Sequence, residues 1–125
     1  MGVAQTAQLH LEKAGEFLAA ARIDLAAGHV NAATSNAVIA GINAKDAVCL
    51  KLTGVTSKSD DHRGAVAELR SAGESGANLA PVLARLLGLK TRSQYQTTSV
   101  ARSDAVKAIQ WAARLHESAD DILRA

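Results

Sequence analysis

The chain has 125 residues, of which 48% are hydrophobic and only 2% aromatic, and its formal net charge is +2. This length suits one domain with one core. A β-sandwich or barrel is excluded because strands need aromatic and β-branched residues and their turns need clusters of Pro and Gly. The ordinary apolar content and small net charge argue against disorder. The composition predicts a single all-α domain over residues 1–125.

The compartment is predicted from targeting and membrane segments that the sequence lacks, and the absence of a cofactor from the spacing of its histidines. No stretch has the basic start, apolar run and cleavage site of a signal peptide, and none approaches the ~18 apolar residues of a membrane span. We therefore expect a cytoplasmic protein without membrane contact. Cys49 is the single cysteine, which favours a small core residue. The four histidines never lie three or four apart on one predicted helix, so we expect neither a metal nor another cofactor.

Two long antiparallel helices are predicted at the start of the chain. Apolar residues recur at spacings of three and four over residues 6–27, which is typical of an amphipathic helix. Gly28 is expected to end this helix, because glycine readily adopts the left-handed conformation found at helix C-termini. A short connection then leads into a second helix over residues 31–52, which should lie antiparallel to the first.

The second helix carries apolar side chains on two faces. One face should pack on the first helix, and the other needs a further helix or a second subunit, so a homodimer is predicted. Between the faces runs a polar seam, whose side chains must be hydrogen-bonded if they are buried. The seam is therefore either internal hydrogen bonding or a binding site. The alanine face consists of Ala33, Ala37, Ala40, Ala44 and Ala47, the opposite face of Val38, Ile42 and Cys49, and the seam of Asn36, Asn43 and Asp46.

Two shorter helices are predicted next. Asp60 or Asp61 can cap a short third helix. Residues 71–77 contain two glycines and predict a flexible break. A fourth helix should begin near Asn78, so that Pro81 falls in the first turn, where proline is tolerated.

A long helix is predicted to close the chain. Residues 89–102 are expected to form an ordered loop, and Ser103 is a suitable cap for the last helix. The predicted architecture is an up-and-down antiparallel bundle of three long helices and two shorter ones.

Two further polar clusters are candidate sites. His62 follows two aspartates at a predicted helix start, where it can serve either as an acid/base group or as part of a solvated helix end. The stretch from residue 75 to 103 holds several cations and no acidic residue, and Tyr95 lies among them. It could bind a phosphate and stack a base, or it could be a solvated basic loop. The cations are Arg85, Lys90, Arg92 and Arg102, and the candidate ligand-binding residues of the whole chain are Asn43, Asp46, His62, Lys90, Arg92 and Tyr95.

The order of these segments resembles the HEPN superfamily, named for higher-eukaryote and prokaryote nucleotide-binding domains. The matching features are the two antiparallel helices, the run AATSNAVIAGINAKDA, the pair Asp61 and His62, the segment LGLKTRSQY and the long closing helix. The resemblance extends over nearly the whole chain. It implies the helical fold and an association with nucleotides or RNA, often beside a nucleotidyltransferase in toxin–antitoxin or defence operons.

The ribonuclease motif of the superfamily is not in its expected place. Ribonuclease members share an Arg that is followed, after four to six residues, by a His. Only Arg22 and His29 satisfy that spacing here, and they lie at the end of the first helix rather than later in the bundle. From Arg92, the next histidine is His116. We therefore expect no cleavage by Arg22 and His29.

Three functions remain open on the sequence alone. The leading interpretation is a non-catalytic, dimeric module that binds a nucleotide, RNA or a partner protein such as a nucleotidyltransferase. The first alternative is a ribonuclease with a non-canonical site such as His62 and Arg92, which supply a titrating group and a cation. The second is a structural scaffold or antitoxin that acts only through contacts between helices. The misplaced motif disfavours the enzyme, and the basic loop favours ligand binding over a scaffold.

Overall fold

The computed structural model describes residues 1–57, 61–90 and 99–125. Within these residues the chain is all-α, with five helices and no strand. The three long helices α1, α2 and α5 pack together, and α3 and α4 complete the bundle, so the predicted fold class is confirmed. The helices are α1 (Val3–Ala26), α2 (Val30–Thr53), α3 (His62–Arg70), α4 (Gly73–Gly88) and α5 (Arg102–Arg124).

Helices α1 and α2 form an antiparallel hairpin whose turn is built on Gly28, as predicted. Gly28 has a φ of 82°, in the left-handed region. The amide of His29 donates to the carbonyl of Asp24 at 2.8 Å, and the amide of Gly28 donates to that of Leu25 at 3.0 Å. These two bonds satisfy carbonyls that the end of a helix would otherwise leave unpaired.

Helix α2 lies at the centre of the bundle and contacts the other four helices. All five alanines of its alanine face are fully buried, and so is Cys49. A Cβ on Gly41 would collide with Leu86 of α4 and would lie 3.3 Å from Leu115 of α5. Both apolar faces of α2 are therefore largely covered within one chain, although Ile42 is only partly buried. The homodimer stays a prediction, and the two-faced pattern no longer supports it.

The predicted break between the third and fourth helices is wrong. Helix α4 already begins at Gly73, whose φ of 83° turns the chain within one residue. Gly76 packs so closely on the backbone of Leu69 that a Cβ there would collide with its carbonyl. Pro81 consequently lies inside α4 with its ring exposed, rather than in the first turn. Burial of an apolar face overrides the local preference for a break; that face consists of Leu79, Val82, Leu83, Leu86 and Leu87.

The predicted cap of the last helix is also wrong. Helix α5 begins at Arg102, its N-cap is Ala101, and no side chain caps it. Instead, Nη1 of Arg102 donates to the carbonyl of Leu25 at 3.2 Å. Contact with the end of α1, rather than a Ser103 cap, holds the start of α5.

Candidate ligand-binding cleft

Several of the residues predicted to bind a ligand line one cleft of about 250 Å³. They come from the C-terminal half of α2, the start of α3 and the residues that follow α4. Arg92 and Tyr95 lie outside the described residues. The predicted residues that the structure brings together are Asn43, Asp46, His62 and Lys90. The walls of this cleft, which we call the α2–α3 cleft, also include His10, Ile42, Lys45, Ser57, Asp61, Ala65 and Leu87.

Asn43 orients the ring of His10 across the hairpin. The Nδ2 of Asn43 donates to the carbonyl of Ile39 at 3.0 Å. The Oδ1 of Asn43 therefore faces His10, whose Nδ1 lies 2.9 Å away. Because an amide oxygen only accepts, Nδ1 of His10 must carry the proton, and a neutral ring keeps its lone pair on Nε2.

Asp46 is a largely buried carboxylate at the edge of the same cleft. Its Oδ1 accepts from the Thr56 hydroxyl at 2.6 Å and from Nζ of Lys45 at 3.1 Å. Its Oδ2 lies 3.9 Å from Nδ1 of His10, which is too long for a hydrogen bond. The two oxygens of one carboxylate thus have different surroundings.

Lys45 is buried beneath the cleft and joins α2 to α3. Its side chain is only 2% exposed, and Nζ lies 2.6 Å from Oε1 of Glu68. Burial alone would lower the pKa of Lys45. The hydrogen bonds to Glu68 and Asp46 and the negative charge of Asp46 outweigh this effect, so the pKa of Lys45 lies above its ordinary value. Burial alone would raise the pKa of Glu68. The hydrogen bonds from Lys45 and Ser57 outweigh this effect, so the pKa of Glu68 lies below its ordinary value. Both groups are charged at neutral pH.

Helix α3 and the segment that precedes it are held by the same group of residues. The backbone amide of Ser57 donates to both carboxylate oxygens of Glu68 at 3.0 Å. Asp61 caps α3 by accepting from the amide of Arg63 at 3.1 Å, which confirms one of the two predicted caps; Asp60 lies outside the described residues. His62 is the first residue of this helix. The ion pair of Lys45 and Glu68 therefore positions the α3 side of the cleft.

Among the ionisable residues of the cleft, sequence reasoning missed His10 and Lys45. His10 could have been found by counting outward from the turn at Gly28, because that register places it beside the segment containing Asn43. Lys45 gave a weaker signal, as a single cation within an alanine-rich run. Its burial depends on Glu68, which lies on a different helix, and no pattern within α2 shows that.

Other residues considered from the sequence lie elsewhere. Arg85 is exposed on α4, and Arg102 contacts the end of α1, so neither lines the α2–α3 cleft. Of the predicted basic cluster, Lys90 is the described member that does. Arg22 and His29 are exposed near the turn of the hairpin, at the other end of α1 and α2.

Cys49 is a buried free cysteine of α2. Burial raises the pKa of Cys49 to about 12, so this thiol is protonated and is a core residue, as predicted. In residues 1–57, 61–90 and 99–125, no three His, Cys, Asp or Glu side chains are placed to hold a metal ion. A search of the same residues finds no helix with the length and apolar character that crossing a membrane requires.

The fold is thus an all-α bundle in which one central helix supplies polar residues to a cleft. The sequence matches the HEPN domain family over residues 7–122. The chain therefore belongs to the HEPN family, and the predicted resemblance is confirmed. A comparison with curated proteins finds no match.

Proposed function

We propose that this chain is a non-catalytic HEPN module that binds a nucleotide or RNA in the α2–α3 cleft. The observation that carries the proposal is that residues from three separate parts of the chain meet there: Asn43, Asp46, His62 and Lys90. The association of the family with nucleotides or RNA, which the resemblance implies, supports a ligand of this class.

The cleft offers complementary groups to a nucleotide. The ammonium of Lys90 can bind a phosphate, and His62 at the positive end of α3 can donate to the same anion. The carboxylate of Asp46 can accept from a base or a ribose hydroxyl. A volume of about 250 Å³ lies slightly below the ~300–1,000 Å³ of typical small-molecule sites, so it suits one nucleotide rather than a stack of bases.

Further parts of the proposal rest on the family resemblance. We propose that the module works with a nucleotidyltransferase-type partner in a toxin–antitoxin or defence-type system. A homodimer in the cytoplasm is part of the same proposal. Its non-catalytic character is supported by Arg22 and His29, which have the spacing of the ribonuclease motif but lie at the far end of the hairpin from the cleft.

Nucleotide and RNA binding can be measured by calorimetry and fluorescence anisotropy. Lys90→Ala should weaken the binding of nucleoside monophosphates or single-stranded RNA by about tenfold and reduce its salt dependence, because one phosphate contact is lost. Lys107→Ala is the matched control, since Lys107 is an exposed lysine of α5 away from the cleft. Failure of the wild-type protein to bind either ligand, or an equal loss in both variants, would contradict the proposal.

A ribonuclease with a non-canonical site is the second candidate. The observation that favours it is that His10 and His62 line the same cleft as Lys90, which provides two acid/base groups and a cation. Cleavage of single-stranded RNA by the wild-type protein, lost in both His10→Ala and His62→Ala, would establish this alternative. Binding without cleavage supports the non-catalytic module, and neither binding nor cleavage supports the scaffold.

A further inference from the structure

One oxygen of Asp46 has no hydrogen-bond donor among the described residues. Its side chain is 9% exposed, and Oδ1 is occupied by Lys45 and Thr56, whereas Oδ2 accepts no bond from the described part of the chain. No fully buried side-chain oxygen there lacks a partner. Solvent therefore reaches Oδ2, and Asp46 is a wall of the α2–α3 cleft. A carboxylate that is nine-tenths buried thus presents one open acceptor to the cleft.

The neighbouring histidine does not fill this position. Nδ1 of His10 donates to Asn43, whose amide is fixed by the carbonyl of Ile39. The proton on that nitrogen is therefore directed to Asn43, although Oδ2 of Asp46 lies only 3.9 Å away. In its neutral form, His10 keeps an acceptor on Nε2. Oδ2 of Asp46 therefore stays open as an acceptor on this side of the cleft.

Resting on the proposed nucleotide binding, we propose that Asp46 selects bases that carry an exocyclic amino group, such as cytosine, over uracil. An amino group donates to Oδ2 and supplies the missing partner, as carboxylates do for the N4 amino group of cytosine. Uracil has a carbonyl at the same position, which would direct a second set of lone pairs at the carboxylate. A site that requires a donor rejects an analogue lacking it, because the buried acceptor is left unpaired.

CMP and UMP form the matched pair of ligands for calorimetry. They share the ribose and phosphate, so contacts made by Lys90 contribute equally to both. We expect CMP to bind at least about tenfold more tightly than UMP. AMP and IMP make the same amino-to-carbonyl comparison on a purine and require only the wild-type protein, and AMP should bind more tightly.

Asp46→Asn tests the role of the oxygen itself. Lys45 and Thr56 are both donors to Oδ1, so the amide oxygen should take that position and the amide NH2 should replace Oδ2. The cleft would then offer a donor, and the preference should disappear or invert towards UMP. Asp24→Asn is the control, since Asp24 lies on the same hairpin and bonds Asn36 outside the cleft.

The outcomes separate this inference from the proposed function. Equal binding of CMP and UMP, or of AMP and IMP, by the wild-type protein overturns the amino-group preference and leaves nucleotide binding intact. A preference that persists in a folded Asp46→Asn protein overturns the assignment to Asp46. The absence of binding for all four ligands and for single-stranded RNA overturns the proposed function, and this inference with it.

Discussion

The two ends of the α1–α2 hairpin use the same residue types in different ways. At the closed end, near the turn at Gly28, Nδ2 of Asn36 donates to Oδ2 of Asp24 at 2.7 Å. At the open end, away from the turn, Asn43 contacts His10 at 2.9 Å and lies beside Asp46 in the cleft. Both asparagines belong to the polar seam of α2. At the open end, this pair lies beside a cleft and beside Oδ2 of Asp46, which accepts no hydrogen bond from the described residues.

The difference follows from what packs against each end. At the closed end, Asn31 accepts from the amide of Val100 at 2.9 Å, and Arg102 donates to the carbonyl of Leu25. These polar groups hold chain segments together. At the open end, the ion pair of Lys45 and Glu68 holds α3 against α2. The elements that pack against α2 therefore decide the role of its polar seam. The seam is structural at the closed end and a candidate binding site at the open end.

The largest expected effect is the loss of the buried cation at the open end. Lys45→Met leaves Asp46 and Glu68 without their shared ammonium, and we expect the free energy of unfolding to fall by about 3–5 kcal/mol. Urea denaturation followed by circular dichroism measures this change. The exposed Lys51 of the same helix provides the control, and Lys51→Met should change stability by less than about 0.5 kcal/mol. Similar losses of stability in both variants would contradict a stabilising role for the buried ion pair of Lys45.

The same ion pair predicts a pH dependence with two limits. The pKa of Glu68 is lowered from 4.5, so its contribution to stability is present above that value and is lost as the pH falls below it. The pKa of Lys45 is raised from 10.5, so its contribution is present below that value and is lost as the pH rises above it. Urea denaturation across this range should show a plateau that falls on both sides. A Lys45→Met/Glu68→Gln protein should show smaller decreases at both limits.

A paired substitution separates the two asparagines. Asn36→Ala removes a hydrogen bond to a carboxylate and should lower stability by about 1–2 kcal/mol while leaving nucleotide affinity unchanged. Asn43→Ala releases the ring of His10 and should cost about 1 kcal/mol, with weaker nucleotide binding as well. Thermal denaturation and calorimetry with CMP measure the two quantities. Weaker CMP binding in Asn36→Ala alone would reverse the proposed roles of the two ends.

The smallest expected effect concerns the exposed contact at the closed end. Arg102 donates to the carbonyl of Leu25 at 3.2 Å, so Arg102→Ala should lower stability by about 0.5–1 kcal/mol. Binding of single-stranded RNA should not change, since Arg102 lies outside the cleft. Fluorescence anisotropy provides the measurement. A large loss of RNA affinity would indicate that the basic stretch acts as a whole, as the sequence alone suggested.

The long helices could be predicted because their signals are local. Spacings of three and four and the left-handed Gly28 gave the α1–α2 hairpin to within a few residues. The start of α4 could not be predicted, because the close packing of Gly76 on Leu69 is a contact between helices. The same holds for α5, whose start is held by the distant Leu25 rather than by Ser103.

The cleft could be predicted only in part. Asn43 and Asp46 are predictable because they interrupt an apolar helix, and His62 is predictable because it follows a helix cap. Their convergence with Lys90 depends on how α3 and α4 pack on α2, which no local pattern contains. Lys45 was missed for the same reason, since its partner Glu68 lies on α3.

The open end of the α1–α2 hairpin is where we propose that the ligand binds. The most direct test is to titrate ¹⁵N-labelled protein with CMP and follow the amide resonances by NMR. We predict saturable shifts concentrated at His10, Asn43, Asp46, His62 and Lys90, with Arg22 and His29 unchanged. Shifts centred on Arg22 and His29, or no shift at millimolar CMP, would contradict the account.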